Sequence, residues 1–260
     1  MDWTRVRSAL SERDPAAKCR RVDSLWRALG TELPTPPPPI APPEAGRPDR
    51  PALVHPSRVP RRGLGSEAGR AALLHAVAHI EFNAINLALD ASLRFATMPA
   101  EFHRDWLSVA NDEARHFRLL VERLDATDVA YGDFPAHNGL WEMAGKTAHD
   151  PLVRMALVPR VLEARGLDVT PGMIERLRQA GDDRSVACLE IILEEEVRHV
   201  AIGSTWFRYL CDLRGCEPEA TFRGLLAEYY GEGLRGPFNH AARLEAGFSP
   251  IELRELERAS

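Results

Sequence analysis

Cysteine is scarce in this sequence and unpaired. Its four cysteines, Cys19, Cys188, Cys211 and Cys216, form no Cys-x-x-Cys pattern, so neither a zinc ribbon nor a rubredoxin-type iron centre is written into the chain. No apolar run of spanning length stands out and no secretory apolar region follows Met1, which gives the expectation of a soluble, cytoplasmic protein without membrane contact. Positive charge is not in excess either: 33 Lys and Arg stand against 38 Asp and Glu, a formal charge of -5. That balance gives no general affinity for phosphate backbones, which makes nucleic acid an unfavoured partner, although it leaves room for a local basic patch. What the chain does have is 260 residues with 45% hydrophobic content, enough for one large core with an appendage.

Two five-residue stretches carry the same pattern: Asp112-Glu113-Ala114-Arg115-His116 and Glu195-Glu196-Val197-Arg198-His199. On a helix the Glu and the His, three positions apart, project from one side. A lone Glu-x-x-His is expected about once by chance in a chain of ordinary composition. Two copies with the same flanking acid and arginine are far rarer. Both copies also lie on apolar stripes. Trp106, Val109, Glu113, His116, Leu120 and Leu124 step by three or four, as do Leu189, Ile192, Glu196, His199, Gly203, Trp206 and Leu210. A carboxylate and an imidazole inside a core stripe are costly without compensating charge, and a metal ion would supply it. The alternative, a solvated salt-bridged face, accounts for Glu194 but not for Glu196 and His199.

A four-helix metal site needs two further carboxylates. Glu81 lies on the stripe of Leu74, Val77, Ala84, Ala88 and Phe95, and Glu163 on that of Leu152, Met155 and Pro159. From Glu81 to Glu113 is 32 positions and from Glu163 to Glu196 is 33. An antiparallel turn at Thr97-Met98-Pro99 would bring the first two to one height. The candidate metal ligands are therefore Glu81, Glu113, His116, Glu163, Glu196 and His199.

This order resembles the dinuclear-metal carboxylate proteins of the ferritin-like superfamily, over residues 66 to about 212. Within it, the segments YGDFPAHNGLW (131 to 141) and LEARGLDVTP (162 to 171) resemble a functionally uncharacterised bacterial family of ferritin-like proteins, distantly similar to the tRNA-hydroxylating branch. The resemblance implies an all-α, ferritin-like four-helix bundle holding two iron ions, with manganese or a mixed iron/manganese pair as alternatives. Asp112 would orient His199, Glu195 would orient His116, and Arg115 and Arg198 would balance the acids. The activity implied is that of a diiron oxygenase or oxidase, with dioxygen as co-substrate, a small molecule or modified nucleoside as substrate, and an electron-donor protein as a partner. The missing cysteine pairs speak against a rubrerythrin-like peroxidase. The alternative is an iron-handling protein of ferritin type, which the proline-rich arm and the extra C-terminal helices disfavour.

Three regions follow in chain order: an N-terminal helical appendage over 1–30, a proline-rich linker over 31–65, and the bundle with accessory C-terminal helices over 66–260. Asp14-Pro15 starts a helix that Gly30 ends, and its apolar stripe is expected on the chain's own core. Arg58, Arg61 and Arg62 form a small basic cluster. His75 and His79 are expected at the surface or the core edge and not as ligands, with His79, two residues from Glu81, as the exception. Residues 127–149 form an irregular aromatic stretch that either covers one end of the bundle or plugs its core, and in it His137 is expected to make a structural hydrogen bond, with action on a substrate as the alternative. Asp150-Pro151 opens the third bundle helix, and Pro159 predicts a kink or bulge one turn before Glu163. Gly166 is expected to end that helix and Thr170-Pro171 to start a short one. The fourth runs from after Gly181-Asp182-Asp183 to about Leu213. Helices are then expected over 217 to 230 and from the capping box Ser249-Pro250-Ile251-Glu252, separated by a loop marked by Gly231, Gly233, Gly236 and Pro237. In that region Asn239, His240 and Arg243 are weak candidates for pocket contacts.

Overall fold

The structure is a computed structural model that describes residues 1–59, 63–231 and 234–258. Among those residues it is all-α, with one isolated bridge, Leu53 to Ala136, as its only extended pairing. Arg61, Arg62 and Gly233, named above in the basic cluster and the glycine-marked loop, lie outside the described residues. The chain divides into two compact units: residues 1–142 with 180–188, and residues 143–179 with 189–260.

The first unit is built on α3 (Glu67–Arg94) and α4 (Ala100–Asp125), which pack along their length. Ser66 caps α3 by accepting from the Gly69 N–H, and Pro99 stands at the head of α4, where its missing N–H costs nothing. His103 fastens the hairpin, its Nδ1 2.8 Å from the Ser92 carbonyl. Almost all of α3 from Ala84 to Leu93 is buried. This helix is long and apolar enough to cross a membrane by composition, contrary to the sequence expectation, yet 72% of its apolar window is buried inside the protein. That is the condition of a core helix apolar on every side.

Helices α1 (Trp3–Ser11) and α2 (Pro15–Leu29) pack against each other and against α3 and α4. Asp14 caps α2 and Gly30 follows it with φ +54°, a conformation that glycine adopts without strain. Between α2 and α3 the proline-rich segment is laid along the unit. The Trp3 indole donates to the Thr35 carbonyl, the Gly46 N–H to Leu10, and the Val54 N–H to Ala136. A Cβ at Gly46 would lie 2.2 Å from the Ser11 carbonyl oxygen, so only glycine permits this approach.

The second unit opens with the end of α5 (Gly139–Lys146) and with α6 (Pro151–Leu157). The expected irregular stretch therefore contains one helix, α5. Asp150 caps α6 through the Leu152 N–H and accepts two bonds of 2.7 Å from Arg214. The Arg214 guanidinium pulls Asp150 below the usual carboxylate range, although burial pushes the other way.

At Pro159 the helix opens into a π-helical segment, Val158–Glu163, and then continues as α7 (Ala164–Gln179). The bulge falls where the proline removes a backbone donor. Two sequence expectations fail here. Gly166 does not end the helix, and Thr170-Pro171 starts none, because Pro171 lies inside α7. The carbonyl that Pro171 cannot serve is that of Leu167, and the Asn239 side-chain amide donates to it at 3.2 Å. A distant residue thus satisfies the acceptor that the proline leaves open.

Next come α8 (Asp183–Arg214), α9 (Pro218–Tyr230), α10 (His240–Glu245) and α11 (Pro250–Arg258). The capping box at α11 is formed reciprocally: the Ser249 N–H donates to Glu252 Oε2 and the Glu252 N–H to Ser249 Oγ.

Candidate metal centre

Residue 97 lies 16 positions after Glu81 and 16 before Glu113, so a hairpin turning there sets the two carboxylates level. Glu81, Glu113 and His116 each offer a donor atom, and these atoms lie within 4.8 Å of one another. His116 Nδ1 is 3.2 Å from Glu81 Oε2 and 3.4 Å from Glu113 Oε2. Glu81 is 3% exposed, Glu113 and His116 not at all.

Two carboxylates enclosed this far from water repel each other. Burial, and then the Glu113 charge, push Glu81 well above the usual carboxylate range, against the pull of His116. Burial alone would lower His116, but Glu113 and Glu81 outweigh it and lift the imidazole to about 11. Both shifts favour positive charge inside the cluster, and a divalent ion would supply it at the same point. Oxygen and imidazole donors without thiolate suit iron or manganese better than a structural zinc site.

Aromatic side chains that adjoin two of these residues in sequence pack against one another. Phe82, next to Glu81, and Phe117, next to His116, have ring centroids 5.6 Å apart, and Tyr131 meets Phe117 edge-on at 5.0 Å. His75 and His79 stack on Tyr131 and bond elsewhere. His75 Nε2 accepts the Gly132 N–H at 2.8 Å, and His79 Nδ1 lies 2.8 Å from the Tyr131 hydroxyl. Both are buried, deeper than the core edge expected of them, and they anchor the 127–138 loop. Burial lowers each to about 4, leaving neutral rings. His137 is exposed and accepts the Gly139 N–H at the head of α5.

The second unit holds the other three predicted ligands. Glu163, 7% exposed, is the last residue of the π segment. Glu196 and His199 lie on α8, with His199 Nδ1 3.4 Å from Glu196 Oε1 and His199 fully buried. Gly203, one turn beyond His199, faces the Pro159 ring. A Cβ on Gly203 would lie 2.3 Å from Pro159 Cγ, so the absence of a side chain lets α8 lie directly against the bulge.

Arg160, beside that proline, is 1% exposed. Its Nη2 is 2.7 Å from Glu252 Oε1, its Nε donates to Ser204 Oγ, and its guanidinium lies 4.3 to 4.7 Å from the rings of Phe222, Phe248 and Phe207. Sequence reasoning missed Arg160, and an arginine adjoining the interior proline was the only cue.

Of the flanking residues, Asp112 and Arg115 pair at 3.5 Å along α4, while Glu195 is half-buried and Arg198 exposed on α8. Asn239 and Arg243 are structural clamps and not pocket contacts. Arg243 grips Asp168 through Nε and Nη2 at 2.9 and 2.7 Å, and the Asn239 N–H donates to the same carboxylate. His240 pairs with Glu257 at 2.8 Å.

The fold and these donors define an all-α protein with a buried Glu/His cluster compatible with metal binding. A family model described as "Protein of unknown function (DUF455)" matches residues 11–254, and the chain belongs to that family. It is 46% identical over 264 residues to an uncharacterized protein of Haemophilus influenzae, covering 96% of this chain and 92% of that one. No solved structure matches it.

Proposed function

We propose that the two Glu/His sets together hold a dinuclear metal centre, a pair of iron ions, in a ferritin-like four-helix arrangement, and that the protein is a cytoplasmic oxidoreductase that uses dioxygen. The observation that carries this reading is the buried Glu81, Glu113 and His116 cluster, matched on α8 by a Glu–His pair with the same 3.4 Å Nδ1-to-carboxylate separation. Duplicated Glu-x-x-His helices, each joined by one more carboxylate, are the donor set of carboxylate-bridged metal pairs.

When bound, two ferrous ions supply the electrons and the open coordination positions for reducing dioxygen. The chain's own residues have separable tasks. His116 and His199 would bind through Nδ1, leaving Nε2 of each to donate to a carboxylate. In this reading Glu195 takes the Nε2 proton of His116 and Asp112 that of His199. Arg115 and Arg198 offset those acids. Glu81, Glu113, Glu163 and Glu196 would hold the cations and neutralise their charge. Manganese, or a mixed pair, uses the same donors. The substrate is a small molecule or a modified nucleoside, oxidised or hydroxylated, with electrons from a donor protein.

The test is elemental analysis after anaerobic reconstitution with ferrous iron, with Glu113→Ala and Glu196→Ala in parallel. About two metals per chain, falling in both variants, is the expected result. No bound metal would end the reading. Many ions per chain, together with a native mass of many subunits, would transfer the case to iron storage.

A further inference from the structure

A second site lies in the first unit. Counting about 100° per residue, Asn83 and Asn86 project from the side of α3 opposite Glu81. There they line a cleft of about 370 Å³ together with Glu44, Arg47, Arg94 and Trp141. That is room for a small ligand.

The two asparagines are 6% and 2% exposed, and their amides are oriented by neighbours that admit one direction each. The Asn83 Nδ2 donates to the His79 carbonyl at 2.9 Å, which only the nitrogen end can do. The Asn86 Oδ1 accepts from Lys18 Nζ at 2.6 Å, which only the oxygen end can do. Left over are an acceptor, Asn83 Oδ1, and a donor, Asn86 Nδ2, which make no hydrogen bond among the described residues. Three positions apart on a helix, they form a neighbouring acceptor and donor.

The other walls supply different chemistry. Trp141 offers an indole ring. Arg94 is held by three hydrogen bonds to the Asp90 carboxylate at 2.7 to 3.1 Å. Arg47 is exposed and forms no ion pair among the described residues. Its charge is one of those that depress His79, after burial and the neighbouring His75. A planar ligand with a donor-acceptor edge would pair with the asparagines, stack on the indole, and place an anionic group at Arg47. Asparagine reads such base edges in other settings, aromatic rings take the base face, and arginine takes phosphate.

We propose that this cleft binds a nucleotide, with the base edge on Asn83 and Asn86, the base against Trp141, and the phosphate at Arg47. The site is separate from the metal centre and stands whether or not metal binds.

Equilibrium dialysis of the full-length protein at pH 6.5 against AMP, GMP, CMP and UMP, and the matching nucleosides, tests it. The expected result is saturable binding of at least one nucleotide, weakened at least about tenfold in Arg47→Glu and in Trp141→Leu. The matching nucleoside should lose affinity in Trp141→Leu only. Both side chains are at the cleft surface, and circular dichroism checks that the variants fold. Should Trp141→Leu fail to fold, Arg47→Glu carries the test alone. Absence of saturable binding for all four nucleotides would overturn the proposal, as would affinities that Arg47→Glu leaves unchanged. Repeating the dialysis after chelator treatment keeps the result independent of the metal reading.

Discussion

The two halves of the proposed centre carry the same side chains on different backbones. In the first unit Glu81, Glu113 and His116 stand on uninterrupted helices, and an equal count of residues on either side of the turn brings them level. In the second, Glu163 ends a π segment, and a glycine from α8 and a buried arginine hold that segment in place. One half takes its geometry from the helical repeat. The other takes it from residues that would never touch a metal, and substitutions there should separate the halves.

The largest effect is expected from Arg160→Ala. It leaves the Glu252 carboxylate buried without its partner, and breaking a buried pair in this way costs about 3–5 kcal/mol. Urea unfolding followed by circular dichroism should register it. A loss below about 1 kcal/mol, the range of exposed pairs, would mean that the guanidinium does not hold the bulge.

Gly203→Ala comes next. The new methyl meets Pro159 at 2.3 Å, and overpacking of this kind costs about 1–3 kcal/mol. Because the contact lies one turn from both His199 and Glu163, iron content should fall along with stability. Pro159→Ala in the same background should recover part of both, since the clash is with the proline ring. Additive losses in the double variant would show that the two residues do not act as a pair.

A different kind of effect, within the first unit, comes from pH. Lys18 is fully buried, and its Nζ donates to the carbonyls of Ala9 and Leu10 and to Asn86. Burial lowers it to about 7 from 10.5. Between those values the unfolded chain holds a proton that the folded chain has released, so Lys18 makes stability rise with pH across that window. At and below neutrality its desolvation penalty is present in full. Lys18→Met should flatten this slope, and an unchanged slope would place the titration elsewhere.

How far the sequence was readable follows the same division. The helix starts at Asp14 and Asp150 and the box at Ser249 were legible because a cap is a local arrangement of a few residues. Glu81, Glu113 and His116 were legible because helical periodicity carries position along the chain. Pro159 marked where the third helix would deform, but the π form depends on its packing partners. The continuation of α7 past Gly166 and Pro171 was hidden because the group that satisfies Leu167 is Asn239, 72 positions away. The pinning of the proline-rich segment was hidden for a like reason, since Thr35 and Ala136 bond to it or through it only in the folded unit.

The smallest expected effect sharpens the contrast most. Arg115 adjoins a proposed ligand in the first half, as Arg160 lies within the bulge in the second, but Arg115 is 40% exposed and pairs with Asp112 at 3.5 Å. Water and salt screen such a pair, so Arg115→Ala should cost less than about 1 kcal/mol in the metal-free protein, and less still at high ionic strength. If Arg115 also offsets the charge of Asp112 beside a loaded centre, the cost should grow when iron is bound, because the acid then works against a fixed network of ligands. Melting the variant with and without ferrous iron under anaerobic conditions separates these cases. An equal, small loss in both states would make Arg115 a solvated surface residue and leave the first half dependent on the helical repeat alone.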